Sequence, residues 1–120
     1  MNRKIFYAPS TIKALCEKLI GRLSEYEILD IEEALTRMAI GAIEKKEICL
    51  RMSEFVHRNA RTFFVSLEWD ICENYDYYVI GGEVRELTIT KDGRVNNEQL
   101  CKVGYLRTDE VNKNDRSRRI

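Results

Sequence analysis

The hydrophobic period of this chain changes once, and that change limits what the chain can fold into. Between Ile12 and Ile43 apolar residues recur every three or four positions, the spacing of an amphipathic helix. From Phe63 to Cys72 the repeat shortens to two. Phe63, Val65, Leu67, Trp69 and Ile71 alternate with Phe64, Ser66, Glu68, Asp70 and Cys72, the pattern of a strand with one buried face. A run of helix followed by a run of strand favours an α+β fold over an alternating one. The expected architecture is two or three N-terminal helices packed on one face of a three- to five-stranded antiparallel sheet.

A short strand is expected within Arg3 to Ala8, carried by Ile5, Phe6 and Tyr7 and ended by Pro9-Ser10, with Ser10 as the cap of the first helix. Ile12, Leu15, Cys16, Leu19, Ile20 and Leu23 form the apolar face of that helix. Gly21 inside it costs roughly 1 kcal/mol relative to alanine, which a periodic face can offset. Asp30-Ile31-Glu32-Glu33 reads as the capping box of a second helix lined by Leu35, Met38, Ala39, Ala42 and Ile43. Cys49, Met52 and Val56 would extend the stripe, but Lys45 interrupts it and Ile48 and Phe55 fit a re-phased helix, which predicts a kink or break near Lys45 to Glu47 and then helix to about Ala60. In the strand half, Gly81-Gly82 marks a turn or bulge, and Asp92-Gly93 marks a hairpin whose two central residues take positive φ. Val95 starts the return, and residues up to Leu106 form a strand or a short helix capped by Asn97. The expected core is Ile12, Leu15, Leu19, Leu23, Leu35, Met38, Ile43, Val65, Leu67, Trp69, Ile71, Leu87 and Ile89. If Glu68 and Asp70 were buried in place of Val65, Leu67 and Trp69, the register would be off by one.

The 120 residues suit one domain, assigned to residues 1–106. Residues 107–120 carry little to bury and five arginines or lysines, and are expected to form a flexible basic tail. The N-terminus lacks the apolar stretch of a secretory signal, and no apolar run is long enough to span a membrane. Both point to a cytoplasmic protein. Cys16, Cys49, Cys72 and Cys101 show no close pairing, and His57 is the sole histidine, so structural thiols are expected and not a zinc site.

Charge balances at twenty against twenty, but it is segregated. Glu25, Glu27, Asp30, Glu32 and Glu33 are acidic without interruption, and so are Glu68, Asp70, Glu73, Asp76 and Glu83. Lys45, Lys46, Arg51, Arg58 and Arg61 lie between. Such blocks are either solvated faces or oppositely charged surfaces that orient a partner.

The enzymatic signals are weak. No phosphate-binding or dinucleotide loop occurs. Ser66 has no base beside it, and His57 stands alone. Glu68 and Asp70, with Glu86 and Lys91 nearby, are the sole candidate Mg²⁺ nuclease set; a solvated strand face is the plainer reading. No catalytic residue, metal or cofactor is therefore assigned. Tyr75, Tyr77 and Tyr78 among Glu73, Asp76 and Glu83 form an aromatic-acidic stretch suited to a basic protein or nucleoprotein partner. The expected function is non-catalytic binding with an inhibitory or regulatory output, as in small viral or mobile-element proteins that act against host defence. The alternative is nucleic-acid binding through Arg51, Arg58 and Arg61 on a helix over residues 45–61, joined by Arg116, Arg118 and Arg119 of the tail. The oligomeric state is left open.

Overall fold

The computed structural model of the protein describes residues 5–6, 9–45, 51–71 and 77–104. The chain runs β1 (Ile5–Phe6), α1 (Pro9–Leu19), α2 (Glu25–Lys45), β2 (Arg51–Arg58), β3 (Arg61–Ile71), β4 (Tyr77–Ile89) and β5 (Val95–Gly104). Strands β2 to β5 form an antiparallel meander. The short β1 runs parallel to β4, opposite Tyr77 and Tyr78, along the edge that β5 occupies further on. Both helices pack on one face of this sheet, so the protein is α+β with its helices before the meander.

Local chemistry explains the helix ends. Pro9 is the first helical residue, where its missing N–H and fixed φ cost nothing, so Ser10 lies inside the helix and is not its cap. Gly21, at φ +88°, ends α1 at Leu19, and the N–H groups of Arg22 and Leu23 close on the Leu19 carbonyl at 3.0 and 3.1 Å. The expected continuation through Gly21 to Leu23 therefore fails. The capping box sits earlier than Asp30. Ser24 N–H donates to Glu27 Oε1 at 2.8 Å, and Glu27 N–H donates to Ser24 Oγ at 3.2 Å. Asp30 is thus inside α2.

The larger correction concerns residues 51–58, which form strand β2 and not a helix. The helical reading followed Cys49, Met52 and Val56. What decides the matter is pairing: Arg51 to Arg58 lie register-perfect against Arg61 to Glu68. The turn between them is the two-residue Asn59-Ala60, both at positive φ (50° and 63°). The Asp92-Gly93 hairpin exists, but it is the longer type with one left-handed residue, Gly93 at φ +84°. The Gly93 N–H closes on the Thr90 carbonyl at 2.9 Å. Residues 95–104 are strand throughout.

The register of β3 is as expected: Phe63, Val65, Leu67 and Trp69 are fully buried, while Glu68 and Asp70 are not. Ile12, Leu15, Leu19 and Leu23 of the α1 segment and Leu35 and Met38 of α2 close over them. Three expected core residues lie elsewhere. Ile43 and Ile89 are exposed and Leu87 is half-buried: Ile43 faces away from the sheet, and Leu87 and Ile89 alternate with Glu86 onto the face opposite the helices, where Leu87 lies across from Thr62 and Asn97. The Ile71 side chain is outside the described set. Gly81-Gly82 does not end a strand: β4 continues through it, with Ile80 as an extra residue where Glu68 pairs Gly81 and Trp69 pairs Val79. Gly82 also lets α1 settle, since a Cβ there would meet Ser66 O at 2.7 Å and Leu15 Cδ1 at 2.8 Å.

Candidate functional site on the face of the sheet opposite the helices

Folding brings the segregated charges together. Arg61 places Nε and Nη2 on the two oxygens of Glu86 and Nη1 on Glu27 Oε2, each at 2.8 Å. Arg58 reaches Asp30 at 3.4 Å and stacks over the Tyr26 ring. Arg37 of α2 pairs with Glu54 of β2. Two carboxylates of the acidic N-terminal half of α2, Glu27 and Asp30, are thus paired with arginines of the β2–β3 hairpin beneath it. The Ser24 backbone N–H, burial partly opposing it, holds the Glu27 carboxyl below its usual range, and the Arg61 hydrogen bonds do the same for Glu86.

A second cluster lies on the opposite face of the sheet, which neither helix covers. Glu83, buried, accepts from Arg85 Nε at 2.8 Å and from Gln99 Nε2 at 2.5 Å, with Arg51 at 3.7 Å. These donors, Arg85 first, hold its carboxyl low. Arg85 also donates to Asn97 Oδ1 at 3.2 Å. Ser66, directly across from Glu83, is sealed from solvent, and its Oγ has no hydrogen-bond partner.

Beside this cluster Phe55 of β2 and Phe64 of β3 face each other across the ladder, ring centroids 5.3 Å apart and tilted by 60°. Arg85 lies opposite Phe64 on the other side, and His57 contacts Thr62 in the next row at 3.1 Å. Phe55 is 55% exposed, unusual for an apolar ring in the middle of a strand. Phe64 is half-buried, and an aromatic pair with one open ring, framed by arginine, glutamine and histidine, is the composition of an interface centre.

Of the aromatic-acidic stretch, Tyr78 is exposed opposite Asp70, and Tyr77 opens β4; Glu83 is not exposed but bound by its arginines. Glu73, Tyr75 and Asp76 lie outside the described residues, as do Arg116, Arg118 and Arg119. Arg51, Arg58 and Arg61 belong to a hairpin, where Arg51 faces the open side while Arg58 and Arg61 reach α2. The candidate metal set is not assembled: Glu86 projects to the helix side, opposite to Glu68 and Asp70, and is held by Arg61. Phe55, Phe64, Arg85 and Gln99 escaped the sequence reading. The alternation of Ser53, Phe55 and His57 with Met52, Glu54 and Val56 was the available signal, weak over eight residues.

Cys16 and Cys101 are buried free thiols; Cys101 Sγ–H donates to Leu15 O at 3.5 Å. Burial pushes both thiols up to about 11. No helix among the described residues is long and apolar enough to cross a membrane. Compared with protein-family models, curated proteins and solved structures, the chain matches none.

Proposed function

We propose that this protein is a small non-catalytic binding domain that engages a protein partner through the face of its sheet opposite both helices, with Phe55 and Phe64 as the anchor. One observation carries the reading: an aromatic pair, Phe55 exposed and Phe64 half-buried, framed by Arg51, Arg85, His57 and Gln99, stands on the face opposite both helices. Aromatic and arginine side chains that can be desolvated together supply most of the energy of protein interfaces. The aromatic-acidic stretch contributes Tyr78 at the margin of this face. The output is inhibition or regulation of the partner, in a cytoplasmic setting suited to reduced thiols.

A second reading, single-stranded nucleic acid stacked on the same pair, draws support from the arginines lying beside the rings. Against it, Arg51, Arg58, Arg61 and Arg85 are each engaged by a carboxylate of the chain, which leaves little positive charge to neutralise phosphates. Affinity capture with the wild type and with Phe55→Glu, with and without nuclease, decides between them. Nuclease-resistant capture of one protein that Phe55→Glu abolishes supports the first reading. Nuclease-sensitive capture supports the second, and capture indifferent to Phe55 removes the face from consideration.

A further inference from the structure

Strand β2 pairs with β3 along one side, and among the described residues nothing pairs with the other. Natural edge strands are blunted by proline, by a bulge, by brevity or by charge, and the inward charges of β2, Glu54 and Arg58, are each already engaged by α2. β2 has eight residues, no proline and no break in register. Bonded and non-bonded pairs alternate along an antiparallel ladder, beginning with a bonded pair at a two-residue turn. From Arg58–Arg61 at the Asn59-Ala60 turn, that rule directs the main-chain groups of Arg51, Ser53, Phe55 and His57 to the open edge.

We infer that β2 pairs antiparallel with β2 of a second copy of this chain, about a two-fold axis through Phe55. A perpendicular two-fold keeps each face on its own side, so only residues of like parity can meet. Centring on Glu54 would set two carboxylates opposite each other, which is destabilising. Centring on Phe55 sets Phe55 against Phe55, Ser53 against His57, Glu54 against Val56 and Met52 against Arg58, with no like charges opposed. About six main-chain hydrogen bonds can form in this register. The two Phe55–Phe64 pairs then become one four-ring cluster at the centre of a doubled open face.

The helix layer fits the same symmetry. Asp30 and Arg37 of α2 both pair with residues of β2, so they mark the flank of α2 that overhangs this edge. Strands about 4.8 Å apart and a helix seated over β2 and β3 bring the two α2 helices to roughly 10 Å, a normal packing distance. They run antiparallel, so the Arg37 of each copy, 63% exposed, comes beside Glu33 and Asp30 of the other. A second copy therefore satisfies the open main chain and the helix charges at once, and an isolated extended peptide satisfies only the first.

Sedimentation velocity and light scattering on the full chain across micromolar concentrations test this. The expected mass is about twice 14.1 kDa, falling to the monomer on dilution. Ser53→Pro removes one outward donor, and Phe55→Lys sets two cations across the axis. Each should weaken self-association at least about tenfold with an unchanged circular dichroism spectrum. If Ser53→Pro fails to fold, Phe55→Lys decides alone, because it alters a half-exposed side chain. A monomer at every concentration overturns the inference, and so does a dimer that survives the substitutions that fold. Ser53→Pro leaves the aromatic pair intact, so partner capture by this variant separates failure of self-pairing from failure of the proposed function.

Discussion

Glu27 and Arg61, 34 residues apart, meet at 2.8 Å where the first turn of α2 crosses the start of β3. Glu27 is 5% exposed and serves two structures at once: it closes the capping box on Ser24 and accepts from the guanidinium that also grips Glu86. This contact docks the helix layer on the sheet, and removing the cation would leave a buried carboxylate without its charge partner. Arg61→Met is expected to destabilise the protein by about 2 kcal/mol, less than for a fully buried pair because Arg61 is partly solvated. A urea midpoint lowered with unchanged slope would show it; an unchanged midpoint would mean that the pair contributes nothing.

Acid should unfold the protein through three carboxylates. Glu27, Glu83 and Glu86 bind protons less readily folded than unfolded, so the unfolded chain takes up protons first as pH falls. Their contribution is complete above about pH 5 and is lost downward through the ordinary carboxylate range, near 4.3, and on through the lowered folded values. Unfolding midpoints followed from neutral pH downward should decline, and Glu83→Gln should flatten that decline.

Base acts through Cys16 and Cys101. Both thiols are pushed up to about 11 from 9.0, so above pH 9 the unfolded chain releases protons that the folded chain keeps. Stability is therefore full below pH 9 and falls as pH rises toward 11. The same burial predicts that a thiol reagent modifies these two cysteines in the native protein far more slowly than after denaturation. Equal rates would mean that the α1–β5 contact is open in solution.

The turn of the β2–β3 hairpin is strained at one position. Ala60 sits at φ 63°, a left-handed conformation that costs a residue with a Cβ roughly 1 kcal/mol. Ala60→Gly should recover part of that, net of glycine's greater unfolded-state entropy, and raise the melting temperature by about 1–3 °C. A lower melting temperature would indicate that the entropy of the added glycine outweighs the relief.

Gly82 should tolerate no side chain. A Cβ would fall 2.7 Å from the Ser66 carbonyl oxygen and 2.8 Å from Leu15 Cδ1, and backbone on one side cannot yield as a side-chain tip can. Gly82→Ala is expected to cost about 1–3 kcal/mol, read as a lowered urea midpoint.

The sequence by itself determined that helices precede the strands, the identity of most of the core and the face of β3 that is buried. Those follow from local periodicity: Phe63, Val65, Leu67 and Trp69 must share a side in any strand, and Leu15, Leu19, Leu35 and Met38 must share stripes on their helices. What only the tertiary structure decided was pairing. Residues 51–58 carry apolar positions that suit either period, and they became strand because β3 offered a complete partner and Asn59-Ala60 a compatible turn. The same long-range pairing turned the acidic and basic blocks toward each other, sealed Glu83 among arginines and left Phe55 in the open. Charge along a chain records composition, but which charges remain free depends on which strands meet, and that is settled by contacts between distant residues.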